Sequence, residues 1–365
     1  METNQVLRQS DNTISMMGYV KEADLQAKSK VNPNGERVEF ITGKLIIQVS
    51  EEREITLNCN YVVKLNKNGE VTKRYQVLSD FLNKKYPTIA NLSEWKQMRT
   101  AQVQQQYAND EMALQQALAN IQNAKATVLS VWGNEGFTAR LGENTFYSAK
   151  EEKVIEGTPR IESGFANLTV KDNYKEEEFH AKGQIEMFVT SVTQEMNGQE
   201  PTGRAIVKGY TVAYGGKVFP LQVVACAEED FSFADLCLTE LSPNMTVTFF
   251  IDVFFGKTTT TITKGGSFGR PIVETISKSI SEYRTMGGQI HNEPRAYDEM
   301  AMRQAITYRQ SVTFEEIKKK ALEQSSQPQT VQQGFGTPTA GFGGGFGATM
   351  SSAPSMNRPD PSSLF

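Results

Sequence analysis

Two blocks of alternating, β-branched segments, each interrupted after its third member by a helical stretch, constrain this chain more than anything else in it. In the first block Met16 to Leu25 reads as a strand, and Asn32, Pro33, Asn34 and Gly35 form a turn. Arg37 to Val49 and Glu54 to Lys64 then alternate apolar and polar residues, the period-two signature of half-buried strands. From Tyr75 to Asn123 the composition shifts to Leu, Ala, Gln and Met, with Leu78, Phe81 and Leu82 at helical spacing, which predicts two or three helices. Strand signals return at Ala126 to Trp132 and at Gly136 to Phe146. The second block repeats this order: Gln184 to Gln194, then Arg204 to Tyr214 and Lys217 to Ala227 joined through Gly215 and Gly216, a short helix over Phe231 to Leu241, the strongly apolar Met245 to Phe255, and Tyr283 to Ile290.

The expected fold class is therefore mainly β with a helical insertion, α+β. Three strands, a helix and two further strands is the order of an OB barrel, a small closed sheet that commonly binds single strands on its second and third strands. We expect two OB-like five-stranded barrels. The first spans 12–150 with an insertion at 66–125, and the second spans 183–293 after a connecting segment at 151–182 that holds the charged run Lys175 to Glu178. A C-terminal helix over 294–324 follows, in which Tyr297, Met300, Ala301, Ala305 and Tyr308 share a face and Asp298 and Glu299 favour its start. From 325 to 365 the chain is a Gly/Phe/Ser/Pro tail in which Phe335, Phe342 and Phe346 are too sparse to offset ordering entropy; it is expected to be disordered.

A chain of 365 residues with 38% hydrophobic residues can bury substantial cores, and a net charge of −4 excludes a uniformly basic nucleic-acid binder while leaving room for a local basic groove. Cys59, Cys226 and Cys237 are odd in number and lie in apolar segments, so they read as reduced core thiols of a cytoplasmic protein, in its own cell or in a host's cytoplasm. No stretch approaches the length of a membrane span. The two histidines, His180 and His291, lack neighbours at metal spacing, so neither a metal nor another cofactor is expected. Gly256, Lys257 and Thr258 imitate the end of a phosphate-binding loop, but Ile251 stands where that loop needs glycine and β-prone residues follow. No acid, histidine or nucleophile constellation stands out, and the expectation is a protein that is not an enzyme.

Binding signals are stronger. On Arg204 to Tyr214, alternation sends Ala205, Val207, Gly209, Thr211 and Ala213 inward and leaves Arg204, Lys208, Tyr210 and Tyr214 outside. Cations interleaved with flat rings are what a single strand needs, since charges track phosphates and rings stack bases. On the next apolar strand Val247, Phe249, Ile251 and Val253 fit the core, which leaves Phe250 and Phe254 outside near Lys257, either as stacking rings or packed under a helix or the other barrel. The first barrel offers Phe40, Lys44 and Gln48 on one face, Lys64 at the end of the third strand and Trp132 on the fourth; Lys28, Lys30, Lys264 and Arg270 could extend a positive track.

OB-like blocks joined to a Gly-rich tail ending in Asp360, Pro361, Ser362, Ser363, Leu364 and Phe365 resemble single-stranded DNA-binding proteins of the bacterial and bacteriophage kind. The resemblance implies a protein that coats single-stranded DNA in replication and recombination, with Asp360, Leu364 and Phe365 recruiting partner proteins. In that family acids cluster directly before the terminal apolar residues; here Asp360 stands alone and Arg358 offsets it. The rival expectation is a phage structural or assembly protein whose β-blocks form protein interfaces. Homo-oligomerisation is left open.

Overall fold

Strands in this chain must bend to close small sheets, and glycine sits where one backbone presses on another. The computed structural model describes residues 7–133, 138–228, 230–264 and 272–326. Its elements begin with β1 (Thr13–Val31), β2 (Arg37–Ser50) and β3 (Arg53–Val63), followed by helices α1 (Lys73–Leu82), α2 (Leu92–Gln106) and α3 (Glu111–Asn123). Then come β4 (Val128–Trp132), β5 (Arg140–Gly142), β6 (Thr145–Ser148), β7 (Lys153–Glu156), β8 (Arg160–Glu162) and β9 (Asn167–Lys171). The second half holds β10 (His180–Asn197), β11 (Glu200–Val212), β12 (Val218–Ala225), the small β13 (Ala227–Glu228) and β14 (Phe231–Ser232), α4 (Phe233–Glu240), β15 (Thr246–Lys264) and β16 (Ile272–His291). Helices α5 (Glu299–Tyr308) and α6 (Phe314–Ser326) close the described chain, joined by a π-helical turn at Arg309–Thr313.

The fold is mainly β with helices, as its pattern predicts, and the strands close two five-membered rings. In the first, β1, β2 and β3 form an antiparallel meander, β8 runs parallel to β3 through Leu57↔Ile161, and β5 pairs with β8. The Ile14 amide donates to Ala139 O (2.9 Å), directly before β5, which completes the ring; β4 pairs with β1 through Met16↔Val131 and with β9, and is not one of these five strands. The second has the same order: β10, β11 and β12 in a meander, β16 parallel to β12 through Val224↔Arg284, and β15 pairing with both β16 and β10. The strand that closes the first ring is thus β8, not the expected Gly136–Phe146, which contributes only β5 and the start of a β6–β7 hairpin. The segment 151–182 is likewise more than a connection, since it carries all of β7, β8 and β9; strands of three to five residues beside Gly157 and Pro159 are too short to show a period.

The rings are joined by a ladder and share a core. β1 pairs antiparallel with β10 from Thr13↔Gln184 to Met17↔His180, and a Cβ at Gly183 would stand 1.9 Å from Thr13 O, so only glycine allows the approach. One apolar cluster runs through both rings, from Met16, Leu45 and Leu57 to Val207, Phe249 and Tyr283, all fully buried. Helix α1 closes the first ring with Leu78 and Phe81, its N-terminus capped by Thr72 Oγ1 accepting from the Tyr75 amide (3.2 Å). Helix α4 closes the second with Phe233, Ala234 and Cys237, capped by Ser232. Helices α2 and α3 lean on each other and carry no fully buried residue. The three cysteines are free, Cys59 and Cys237 buried and Cys226 partly so.

A buried carboxylate ties the N-terminal segment and the approach to α5 onto β10. Both oxygens of Glu186 accept from Arg8 (2.6 and 2.9 Å), and one also accepts from the Asp11 amide (2.8 Å). Ser10 meets the Tyr297 hydroxyl at 2.8 Å and accepts from the Val212 amide at 2.8 Å. Burial disfavours the charge on Glu186, but Arg8, the Asp11 amide and Arg295 together outweigh it and hold the carboxyl below its usual range. His291, 8% exposed and 2.8 Å from Thr248 Oγ1, is held below its usual value of 6.5 by burial and by Arg295.

Both groups have lowered folded-state values, so each contributes stability above its unfolded value and loses it as pH falls. We expect the urea midpoint to decline in two stages, first below 6.5 as His291 must charge, then below 4.5 as Glu186 protonates. In Glu186→Gln the second stage should be shallower. A midpoint that rises on acidification through either window would contradict this assignment.

Candidate nucleic-acid interface

Alternation along β11 places Ala205, Val207, Gly209 and Thr211 inside the second ring and Arg204, Lys208 and Tyr210 outside it. Their surroundings differ. Arg204 lies between Glu195 (3.0 Å) and Glu282 (2.8 Å), and Glu282 also pairs with Arg284 (2.8 Å), so its charge is spent within the protein. Burial works against the charge on Glu282, yet the two guanidinium groups hold its carboxyl below the usual range. Tyr210 is half-buried against the small apolar cluster of Phe188, Val212, Val218, Tyr297 and Met302; burial, then the charge of Glu156, pushes its phenol upward. Tyr214 is 81% exposed, but it stands on a 3-10 turn with Gly215 at φ 78°, beyond the strand face. Lys208 is exposed and makes no ion pair among the described residues.

Lys208 and Tyr210 border a groove of about 360 Å3 whose other wall is the segment Glu156–Pro159, which arrives from the first ring. That segment is pinned by Arg309, a residue that composition and spacing did not single out. Its side chain is 4% exposed and donates to Glu156 (2.8 Å), Thr145 Oγ1 (2.8 Å), Val218 O (3.1 Å) and Glu143. One guanidinium thus joins the β5–β6 turn, the end of β7, the start of β12 and the π-helical turn. The expected helical face of Tyr297, Met300, Ala301, Ala305 and Tyr308 is not the one that packs: Tyr297 precedes α5, Met300 and Tyr308 are exposed, and the inward spacing is Met302, Ala305, Ile306 and Arg309, which was the available signal.

On β15, Val247, Phe249, Ile251 and Val253 are buried and Phe250 is 53% exposed, opposite Gln184 and Gly287. Phe254 is enclosed instead. The Arg284 guanidinium lies 3.6 Å from its ring centre and that of Arg53 5.5 Å away, while Arg53 also donates to Asp252 (2.8 Å) and Val253 O (2.6 Å). Since Arg53 opens β3 of the first ring, Phe254 packs at the junction of the rings and offers little free face. The side chains of Lys257 and Lys264, all of Arg270, and the tail residues Asp360, Leu364 and Phe365 lie outside the described residues.

The first ring presents a more open set. Phe40 on β2 meets Tyr61 on β3 with ring centres 4.5 Å apart, and the Lys30 ammonium stands 4.2 Å from the Tyr61 centre. Tyr61 was not picked out from the sequence; its φ of 55° turns it out of the regular strand alternation, which period-two counting cannot anticipate. Gln48 and Lys44 share the outer face of β2 with Phe40, and Lys44 is 3.9 Å from Asp24. Lys64 pairs with Glu39 (2.7 Å) in the open, where such a bridge adds little. Trp132 is 45% exposed on β4, between β1 and β9 and thus apart from β2 and β3, and its Nε1 donates to Thr169 (3.2 Å). Among the described residues, no group of His, Cys, Asp and Glu could hold a metal ion, and no helix is long and apolar enough to cross a membrane.

These pairings define a β-rich α+β protein built from two fused five-stranded rings, each with polar and aromatic side chains on the outer face of its second and third strands. The profile of the YorF family matches residues 115–325, and the chain belongs to that family. No curated protein matches it. Among solved structures it is similar to the wild-type single-stranded DNA binding protein from Thermus aquaticus, at a TM-score of 0.38 and 9% identity over 80% of this chain and 98% of that one. A deletion mutant of the same Thermus aquaticus protein gives 0.37 and 10%, over 80% and 99%. Likeness at this level carries no argument about activity.

Replacing Arg309 tests the pin. Arg309→Met keeps the stem but deletes four charge-assisted or neutral partners, and hydrogen bonds to charged groups contribute about 1.5 to 3 kcal/mol each. We expect a loss of at least about 2 kcal/mol in urea unfolding, with earlier proteolytic cleavage in 143–159 than elsewhere. Unchanged stability would show that the segment is held by other contacts.

Proposed function

We propose that this protein binds single-stranded DNA, acting by binding alone, and that it coats and protects the strand during replication and recombination. The observation that carries the reading is the pairing of cation and ring on the same outer face in both rings: Lys30, Phe40 and Tyr61 on the first, Lys208 and Tyr210 on the second. On an OB-like ring this face is the usual one for oligonucleotides. An ammonium can follow phosphates while a ring accepts any base face, so affinity arises without sequence readout. The acidic whole does not oppose this, because the acids beside Arg204 and Arg309 are already engaged by guanidinium groups. The tail residues Asp360, Leu364 and Phe365 would recruit partner proteins; deleting Leu364 and Phe365 should spare DNA affinity and abolish that recruitment.

Titration of the full chain with a fluorescent oligo-dT at several salt concentrations tests the central claim. Affinity should fall steeply with salt. Base stacking contributes about 1 to 3 kcal/mol per base, so Phe40→Ala with Tyr61→Ala should weaken binding by about 5- to 150-fold while circular dichroism stays unchanged. Lys208→Ala should reduce the salt slope by about 1. Absence of binding below about 10 µM at 50 mM salt would remove the proposal. A large assembly that forms without oligonucleotide would favour a structural protein in its place.

A further inference from the structure

The groove between Glu156–Pro159 and the second ring differs from an open stacking face in having a second wall. Its floor is set by strand register: Tyr210 on β11 lies opposite Pro220 on β12, and Lys208 lies opposite Gln222. Two flat, largely apolar groups therefore sit side by side, with an ammonium and a carboxamide one step along the strands. The acids of the groove are spent, since Glu156 accepts twice from Arg309 while Glu282 accepts from Arg204 and Arg284. The backbone of the second wall is spent as well. The Gly157 amide donates to Asn144 O (2.8 Å), Thr158 O accepts from Asn144 (3.0 Å), and Pro159 O accepts from Tyr283 (2.7 Å). What remains uncommitted among the described residues is the exposed set of side chains Thr158, Lys208, Gln222 and Ser281.

That remainder is specific in its chemistry. Tyr210 and Pro220 suit a flat ring, a carboxamide offers a donor and an acceptor side by side to the edge of such a ring, and a free ammonium suits an adjoining anion. A volume of about 360 Å3 is near the lower end of ligand sites, about 300 to 1,000 Å3, and fits one nucleotide rather than a run of them. Resting on the single-strand reading above, we infer that this groove holds one unpaired nucleobase with its phosphate, reading the base edge through Gln222 and the phosphate through Lys208. The first ring has the stacking face without the second wall, so the base preference of the protein resides in the second ring.

The experiment uses the full chain, fluorescently labelled dT, dC and dA oligomers of equal length, and the corresponding deoxynucleoside monophosphates followed by calorimetry. Wild type should prefer one homopolymer over the weakest by about 5- to 150-fold, the range of one bidentate base contact. Gln222→Leu should bring the three within about twofold, whereas Tyr61→Ala in the first ring should weaken all three alike. Oligomers bound without preference, or a preference that survives Gln222→Leu, would overturn the groove assignment and leave the single-strand proposal standing. Binding of a monophosphate but of no oligomer, lost in Lys208→Ala, would support the groove as a site for a free nucleotide and overturn the single-strand reading. Binding of neither kind of ligand would overturn both.

Discussion

The antiparallel ladder between β1 and β10 is the contact on which the rest of the molecule depends. Each of these strands opens its own ring, and each bends so that one stretch pairs within the ring while another pairs across to its counterpart. Gly183 makes this possible, because Thr13 O occupies the place of any Cβ there. Once the ladder forms, the interiors merge into one apolar cluster, and folding either ring alone would leave Met16, Ala181 and Ile185 without part of their cover. Packing of that continuity stabilises more than the isolated rings could, since the fraction of surface buried rises with size.

Fusion also makes the two outer faces unequal. The segment that leaves β5 to form β6, β7 and β8 must return to close the first ring, and on its way it passes the second and third strands of the other. Arg309 fixes it there. The guanidinium can reach four partners on three segments because its donors are planar and rigid, whereas a lysine would offer one point charge. The consequence is that the second ring meets solvent as a walled groove and the first as an open face that carries Tyr61 and Phe40.

How much of this could be read from the residues follows from what periodicity can and cannot carry. The long strands were legible: Val247, Phe249, Ile251 and Val253 inside with Phe250 outside, and Ala205 to Thr211 inside with Lys208 and Tyr210 outside, are each a simple count by two. The closing strand β8 was not, since three residues contain no period, and its partner β3 lies about a hundred positions earlier. Tyr61 escaped for a related reason, because a positive φ breaks the count at the residue that matters. Arg204 and Phe254 were placed on the correct side of their strands, but what faces them, Glu282 for one and Arg53 and Arg284 for the other, comes from segments far away in sequence. A face can be read locally, and its occupant cannot.

This distinction changes how the charge of the protein should be understood. A net charge of −4 suggests weak attraction for a polyanion, yet the relevant quantity is which cations remain uncommitted. Arg53, Arg204, Arg284 and Arg309 are consumed by carboxylates that lie within hydrogen-bonding distance, so they contribute rigidity and cancel nearby acids. Among the described residues, Lys208 keeps its charge for solvent, and Lys30 sets its own over the face of Tyr61. Arginine, with its fork of donors, holds the two rings and their connecting segment together, and lysine is left on the outer faces. The division of labour follows from the side chains themselves: the residue that pays less entropy per hydrogen bond is used inside, and the flexible, strongly hydrated one is left where a phosphate would arrive.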